Sequence, residues 1–433
     1  MSIKLGCIAD DFTGATDLAN NLVRAGMRAV QTMGVPQGPL QARADAVVVA
    51  LKTRTAPPAE AVSQSLAALA WLRGQGAQQI YFKYCSTFDS TPQGNIGPVA
   101  DALMRALDTG FTIATPAFPD NQRTVFKGYL FVGDMLLNES GMRHHPLTPM
   151  ADANLVRVLA AQTARRVGLI DYKAVARGAA AIAERIAELK SEGVEIAIVD
   201  AVSNADLLAL GPALRGMPLV TGGSGVAIGL PANWGLAPSA RTRSLPLRPG
   251  LQAVVAGSCS QATQAQVAAF IGAGGPALAI DPLQLAAGVD VAAQALAWAE
   301  PLLPQGPVLI YSTARPEAVQ AAQAELGAQR AGSLVEDAIA RIALGLVRRG
   351  VRQLIVAGGE TSGAVVQALD LQQMAIGEQI DPGVPWCAGL ARAAGADISI
   401  ALKSGNFGAR DFFTRAFGAG GFTRAFGAGG GQA

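Results

Sequence analysis

The sequence is poor in cysteine and in charge. Only 15% of its 433 residues are charged, and the formal net charge is +2, which gives no support for a nucleic-acid partner. Cys7, Cys85, Cys259 and Cys387 lie far apart without CxxC spacing, which argues against a disulfide framework and against a zinc site. Neighbouring histidines in a Pro-containing loop rarely face one ion, so His144-His145 predicts no metal site either.

Long apolar runs are also missing. No stretch of 18 uncharged apolar residues is typical of a membrane span. The first residues begin a strand, and no charged segment followed by an apolar one indicates a secretory signal. We therefore expect a cytoplasmic protein that has no membrane partner.

Apolar residues make up half of the chain, and strand-like runs alternate with helical patterns almost throughout. This predicts an α/β fold of two domains, each a mostly parallel sheet flanked by helices, with the active site in the interdomain cleft. The Pro-containing stretch 231–250 is the best linker candidate. The predicted parts are residues 1–235, a linker at 236–250, a second domain at 251–412, and a flexible tail at 413–433 that repeats FTRAFGAGG.

Two parts of the pattern are less regular. Residues 117–150 are rich in Pro, Gly and Asn, and we expect a hairpin or a long loop there. In the second domain we expect strands at residues 251–256, 277–280, 308–311, 353–357 and 398–402, and helices that include 316–326 and 334–349.

Acidic residues end the first predicted strand. Asp10 and Asp11 follow the apolar run at residues 3–9, and a charged group in that place normally needs a partner or water. Thr13 is expected to cap the helix that follows. One interpretation is a helix cap with one structural acid. The other is an acid that binds a substrate hydroxyl or accepts its proton.

Mixed charges end the third predicted strand. Lys83, Asp89 and Ser90 combine a cation, an acid and a hydroxyl, which suits a small ligand carrying both a carboxylate and hydroxyls. Arg123 follows a similar polar turn, and its guanidinium could pair with a carboxylate through two hydrogen bonds. A polar turn and a solvated arginine are the alternatives.

The second domain contains three turns rich in Gly, Ser and Thr, at residues 257–263, 358–363 and 403–408. None has the GxxxxGK[ST] spacing of a Walker A loop, and none has GxGxxG, so a nicotinamide-dependent oxidoreductase is disfavoured. Two of the turns open helices, where N–H groups and hydroxyls can hold phosphates. The third adds Lys403 and a glycine.

Together these motifs resemble the four-carbon acid sugar kinase family, over residues 3 to about 413. The motifs that carry the resemblance are ADDFTGA at 9–15, KYCSTFDSTPQGNIG at 83–97, PAFPDNQR at 116–123, AGGETSG at 357–363, PGVPW at 382–386 and KSGNFG at 403–408. Cys-Ser-Thr-Phe before Asp89, together with the segment 136–150, is most similar to the 3-oxo-tetronate branch. Where other branches show an arginine, this chain has Gln93.

The resemblance implies an N-terminal sugar-acid-binding domain and a C-terminal nucleotide-binding domain that use ATP and Mg²⁺ to phosphorylate the 4-hydroxyl of a 3-oxo-tetronate. It implies that an acid-sugar pocket is formed by Asp10, Asp11, Lys83, Asp89, Ser90 and Arg123. Within this pocket we expect Asp11, with Asp89 as the second candidate, to be the catalytic group that orients or deprotonates the attacking hydroxyl, and Arg123 to bind the substrate carboxylate. The resemblance also implies ATP contacts at Ser258, Gly358, Gly359, Glu360, Thr361 and Gly405, and we expect no metal ligand from the protein.

Two rival functions stay open from the sequence. A sister kinase of the same family would act on D-threonate or D-erythronate instead. A two-domain binding protein would clamp a small acid without chemistry, although a second domain rich in phosphate-type turns counts against it. The oligomeric state is not given by the sequence, and a homo-oligomer stays open.

Overall fold

The computed structural model describes residues 3–40, 42–144, 148–312 and 327–418. The chain forms two compact units, Met1–Arg243 and Ser244–Ala433. The predicted helix at 316–326 lies outside the described residues, as do His145 and the second copy of the tail repeat. No helix in the described part of the chain combines the length and the apolarity that a membrane crossing needs.

The main sheet of unit 1 consists of β1 Leu5–Ala9, β2 Ala29–Met33, β3 Ala46–Ala50, β4 Gln79–Lys83, β5 Thr112–Thr115, β9 Val167–Ile170, β10 Ile196–Val199 and β11 Leu219–Gly222. These strands pair in parallel in the order β2-β3-β1-β4-β11-β5-β10-β9. Every residue of β1, β3 and β4 is buried, as expected for parallel strands covered on both faces. β2 is a strand that the sequence pattern did not predict.

Helices connect these strands. They are α1 Phe12–Arg24, α2 Pro58–Gly74, α3 Ile96–Ala106, α4 Leu155–Ala160, α5 Tyr172–Val175, α6 Ala179–Ser191, α7 Asn204–Ala213 and α8 Ala240–Arg243. Their starts follow ordinary capping chemistry. A proline opens α2, and Ser203 and Asp206 form a capping box at α7.

The predicted irregular region at 117–150 contains a small antiparallel sheet of β6 Arg123–Phe126, β7 Tyr129–Val132 and β8 Met135–Leu136. The hairpin turn is fastened by Asp200, whose carboxylate accepts hydrogen bonds from the N–H groups of Lys127 at 2.7 Å and Gly128 at 2.8 Å. The prediction of a hairpin is confirmed, and its first strand begins at Arg123.

The strands of unit 2 are β12 Leu251–Ala256, β13 Ala277–Ala279, β14 Val308–Tyr311, β15 Val351–Ala357, β16 Gln373–Asp381, β17 Val384–Ala391 and β18 Ala396–Lys403. They are arranged in the order β13-β14-β12-β15-β18-β17-β16. β13, β14, β12, β15 and β18 pair in parallel, whereas β16, β17 and β18 form an antiparallel meander. The helices are α9 Gln261–Gly272, α10 Pro282–Ala286, α11 Val291–Ala299, α12 Ala328–Arg348, α13 Gly359–Ala368 and α14 Phe412–Arg415.

The core of unit 2 includes the beginning of the repeated tail. Phe413 is fully buried, Phe417 is buried against the ring of Trp386, and the Trp386 indole donates to the carbonyl oxygen of Ala416 at 3.2 Å. The packed part of unit 2 therefore extends past residue 412, where we had placed the start of the tail.

Candidate active site

The acidic and basic residues predicted in the first domain lie at one edge of the unit 1 sheet. β1, β3 and β4 are neighbours, with Ala9 in register with both Ala50 and Lys83. The carboxyl ends of these parallel strands therefore deliver Asp10 and Lys83 to one place, together with the segment after β3. In open parallel sheets this edge is where ligands bind.

Arg54 lies at the centre of this edge. Its guanidinium donates to both carboxylate oxygens of Asp10 at 2.9 Å and to Asp11 Oδ1 at 2.7 Å, and Asp89 Oδ2 lies 3.9 Å from Nη1. The backbone around Arg54 is held by the Asn95 amide, which donates to the carbonyl oxygens of Thr53, Arg54 and Ala56. Sequence reasoning missed Arg54, although its position just after a buried strand was an available signal.

Asp11 caps helix α1. Its carboxylate accepts from the Gly14 N–H at 3.1 Å and from the Thr13 hydroxyl at 2.9 Å, and Lys83 Nζ lies 3.7 Å away. Thr13 was expected to be the cap, and that expectation is wrong, because Thr13 donates to the capping carboxylate instead.

The two neighbouring acids differ in how easily they accept a proton. Burial raises the pKa of Asp10, and the nearby Arg54 only partly opposes this effect. Burial would also raise the pKa of Asp11, but Arg54, Lys83 and the hydrogen bonds of the cap lower it to about 2. The Asp11 carboxylate is therefore ionised at neutral pH. It is better suited to orienting a substrate hydroxyl through a hydrogen bond than to accepting the proton of that hydroxyl.

Gly14 makes room for the Lys83 ammonium. A Cβ atom at Gly14 would lie 2.0 Å from Lys83 Nζ and 2.2 Å from Asp11 Oδ1. The Lys83 side chain is almost completely buried and can place its charge beside Asp11 only because residue 14 has no side chain.

The loop after β4 presents Asp89. Cys85 Sγ lies 2.9 Å from the Thr87 hydroxyl, and that hydroxyl donates to Asp89 Oδ1. Between Thr87 and Asp89, Phe88 has a φ of 52°, a left-handed backbone conformation that is rare for a bulky residue. The buried Phe88 ring packs edge-on against the ring of Tyr84. The chain reverses at Phe88, which places the Thr87 hydroxyl beside the Asp89 carboxylate.

Ser90 and Arg123 complete the predicted set in unit 1. Ser90 is buried, and its hydroxyl accepts from the Gln162 amide at 2.6 Å. The Arg123 guanidinium donates to the Asn121 carbonyl, whereas its Nε has no partner among the described residues. Burial lowers the pKa of Arg123, and Cys85 and Asp89 act against this shift. Arg123 thus has a donor available close to the acidic cluster.

Three turns of unit 2 meet in the same way. β12, β15 and β18 are neighbours, with Ala357 in register with Ala256 and Lys403. The three predicted turns follow these strands directly, so they lie side by side at the carboxyl edge of the sheet.

Close contacts between the turns depend on glycine. A Cβ atom at Gly257 would lie 2.3 Å from Thr361 Oγ1, and one at Gly405 would lie 2.5 Å from Ser258 Oγ. Gly358 has a φ of 127° and is required by the sharp bend that opens α13. The structure thus brings Ser258, Thr361 and Gly405 together.

The remaining predicted ATP contacts, Gly359 and Glu360, lie in the exposed first turn of α13. Behind them, the Ser260 side chain caps α9 and donates to the Gly405 carbonyl at 2.6 Å. The result is a surface of backbone, hydroxyl groups and a helix start, which is suited to phosphate. Within the described ranges, no three side chains of His, Cys, Asp or Glu converge on a metal-sized site.

Comparisons with known proteins agree with a charged site in unit 1 and phosphate-type turns in unit 2. A family described as a sugar-binding N-terminal domain matches residues 5–230, and one described as a nucleotide-binding C-terminal domain matches residues 253–413. The chain is 61% identical over 420 residues to a protein of Cupriavidus necator named 3-oxo-tetronate kinase, covering 95% of this chain and 96% of that protein. A Pseudomonas fluorescens protein of the same name is 59% identical over 424 residues, covering 96% and 97%.

Solved structures are similar as well. A protein from Salmonella typhimurium LT2, which carries a provisional tRNA synthase designation, has a TM-score of 0.87 and 47% identity, covering 96% of this chain and 98% of that one. A Haemophilus influenzae protein has a TM-score of 0.79 and 45% identity, covering 96% and 99%.

Proposed function

This chain belongs to the four-carbon acid sugar kinase family, and from that premise we propose that it transfers the γ-phosphoryl group of ATP to the 4-hydroxyl of a 3-oxo-tetronate. The enzyme class, a sugar-acid kinase, follows from relatives up to 61% identical over nearly the whole chain. The substrate and the phosphorylated position are the proposal. The observation that carries it is the cluster of Arg54 and Lys83 with three carboxylates at one sheet edge. Arg123, at the start of β6, is close enough for the Asp89 charge to act on its guanidinium.

Arg123 is the proposed ligand of the substrate carboxylate. Its Nε donor has no partner among the described residues, whereas the Lys83 ammonium and the Arg54 guanidinium already contact Asp11 and Asp10. An arginine fork fits a carboxylate better than a lysine point charge does. A four-carbon acid bound there by its carboxylate would extend its far hydroxyl toward the acidic cluster.

Asp11 and Asp89 are the proposed partners of the attacking hydroxyl. Phosphoryl transfer passes through a loose transition state that asks little of a base, so positioning the nucleophile matters most. Asp11, with a pKa of about 2, fits the orienting role. Asp89, which accepts from Thr87 and lies near Arg54, is the second candidate.

ATP is the proposed phosphate donor, bound at the turns that carry Ser258, Gly358 and Gly405. When bound, Mg²⁺ would neutralise charge on the phosphates. No group of three or more His, Cys, Asp or Glu side chains in the described residues is placed to hold a metal ion, and we propose that Mg²⁺ is held chiefly by the nucleotide. That both ligands meet in a cleft between the domains stays a prediction, as does the cytoplasmic location.

The test is a coupled assay of ADP formation with ATP and a panel of four-carbon acids. We expect the 3-oxo-tetronates to give the highest kcat/KM, with a phosphate ester at the terminal carbon detected by ³¹P NMR. A higher kcat/KM for D-threonate or D-erythronate would show that the protein is a kinase of the same family with a different substrate, and would reject the proposed substrate. Binding of an acid without ADP formation would support the non-catalytic alternative and would reject the proposal.

A further inference from the structure

Lys403 is a fully buried lysine within the nucleotide-type turns, at the end of β18. Its ammonium donates to Thr263 Oγ1 at 3.1 Å and to the carbonyl oxygens of Ser404 at 3.0 Å, Gly405 at 2.9 Å and Phe407 at 3.1 Å. Burial lowers the pKa of Lys403 to about 7, while these oxygen acceptors favour its charged form. All of these contacts are made to the protein itself.

A second buried side chain holds the same loop. Gln266 on α9 donates through Nε2 to the carbonyl oxygens of Phe407 at 3.0 Å, Gly408 at 2.9 Å and Ala409 at 3.1 Å. Together, Lys403 and Gln266 donate hydrogen bonds to five carbonyl groups of this loop, those of residues 404, 405, 407, 408 and 409. The loop is therefore fastened by its carbonyl side.

Peptide geometry determines where the opposite side of the loop points. In a trans peptide unit, the C=O of one residue and the N–H of the next point in opposite directions, and the described residues contain no cis bond. Since the carbonyls of residues 404, 405 and 407 face Lys403, the N–H groups of Gly405, Asn406 and Gly408 point away from it. A row of N–H groups of this kind forms an anion-binding concavity.

We propose that Lys403 is a positioning residue that orients the 404–408 loop so that its N–H groups bind the nucleotide phosphates, without touching the nucleotide itself. This inference rests on the proposed function, because it assigns a phosphate ligand to that loop. A lysine that bound phosphate directly would have to leave four acceptors. Lys403 therefore acts on a bound phosphate through its hydrogen bonds to the loop backbone.

The test compares Lys403→Met and Gln266→Met with the wild-type enzyme by hydrogen exchange without ligand and by calorimetry with ATP and adenosine. Methionine keeps an unbranched chain but donates no hydrogen bond. For Lys403→Met we expect faster exchange in the free protein at the loop amides that have a protein acceptor, the Phe407 N–H, which donates to the Ser404 carbonyl, and the Ala409 N–H, which donates to Asp381. We also expect at least ~10-fold weaker ATP binding, because several charge-assisted bonds are lost, and unchanged adenosine binding.

Gln266→Met distinguishes an effect of loop orientation on ATP binding from an effect of the lysine charge, because it removes hydrogen bonds to the loop without removing a charge. It should raise exchange in the same loop and weaken ATP binding by a smaller factor, and it decides the question if Lys403→Met fails to fold. Lys173→Met, at an exposed lysine of unit 1, should change neither property.

Three results have distinct meanings. Weaker ATP binding by Lys403→Met with unchanged loop exchange would overturn the inference, because the ammonium would then act on phosphate directly. Unchanged ATP binding in both variants would also overturn it. Failure of the wild-type enzyme to bind ATP would instead reject the proposed function, and the exchange data would still report whether Lys403 orders the loop.

Discussion

The two candidate subsites lie at equivalent sheet edges but are built from different chemistry. In unit 1 the edge is made of charged side chains, with Arg54 and Lys83 between Asp10, Asp11 and Asp89. In unit 2 it is made of backbone and hydroxyl groups, and the buried cation Lys403 faces the loop carbonyls. The same fold position can thus recognise an acid through side chains or a phosphate through the main chain.

The largest effect expected is that of Arg54→Met, which removes the cation shared by the unit 1 acids. Leaving buried carboxylates without their partner should lower the free energy of unfolding by about 3–5 kcal/mol. We also expect kcat/KM for the sugar acid to fall by about a hundredfold to a thousandfold, since a tenfold change corresponds to about 1.4 kcal/mol. Urea unfolding and steady-state kinetics measure the two effects.

Arg165→Met is the matched control, because Arg165 is also largely buried and pairs with Asp101 and Glu195 away from the cluster. It should reduce stability without changing KM for the acid. Equal kinetic losses in both variants would show that Arg54 acts only through stability.

A second, smaller effect is expected from a matched pair of glycine substitutions, one in each subsite. Gly14→Ala places a methyl group against Lys83 and should raise the Kd of the sugar acid at least ~10-fold while leaving the Kd of ATP unchanged. Gly405→Ala places one against Ser258 and should do the reverse. Calorimetry with each ligand measures both.

Gly38→Ala and Gly272→Ala serve as controls for the glycine pair, since a Cβ atom at either position meets nothing within 4 Å. If Gly14→Ala weakened ATP binding as much as Gly405→Ala does, the assignment of one ligand to each subsite would be wrong.

A third effect is a pH dependence of unit 1. Asp11 has a pKa of about 2, below the value of about 4 expected in the unfolded chain, so its contribution is present above pH 4 and is lost as pH falls towards 2. The contribution is about 2 kcal/mol. Asn caps helices as well as Asp does, so Asp11→Asn keeps the cap but should flatten the loss of stability between pH 4 and pH 2.

Kinetics of the same variant test the orienting role of Asp11. We expect kcat of Asp11→Asn to fall by about a hundredfold at neutral pH. Near-normal turnover with intact folding would remove Asp11 from the reaction and leave Asp89 as the candidate.

The smallest effect concerns the tail of unit 2, which is held by apolar burial together with the ion pair between Arg415 and Asp381. Deleting residues 422–430 removes one of two identical copies and leaves Phe413 and Phe417 in the chain, so Tm and kcat should be unchanged. Ending the chain at Phe412 removes both aromatic residues from the core and should lower Tm clearly. A marked decrease in Tm or kcat on deleting residues 422–430 would show that the second copy has a role.

Much of this organisation was predictable from the sequence. Buried strands such as β1, β3 and β12 are short apolar runs bounded by polar turns, and the carboxyl ends of parallel strands meet, so Asp10, Lys83 and Gly358 could be placed at sheet edges. The motifs of residues 9–15 and 357–363 also identified the family, as the relatives confirm.

Other features could not be predicted because they depend on tertiary contacts. β16 carries Glu378 and polar residues and alternates too weakly to indicate a strand, yet its pairing with β17 across the Gly383 turn makes it one. The position of Arg54 after a buried strand was a signal in the sequence, but only the fold shows that three acids surround its guanidinium. Likewise, Lys403 could be recognised as a cation, but only its buried contacts show that it points inward.

The most direct test of the division between the subsites is hydrogen exchange of the wild-type enzyme with each ligand alone. The account predicts that a 3-oxo-tetronate protects the segments around residues 10–14, 83–91 and 123. It predicts that ATP protects residues 257–263, 358–363 and 403–408. Protection of the unit 1 segments by ATP, with none at the unit 2 turns, would contradict it.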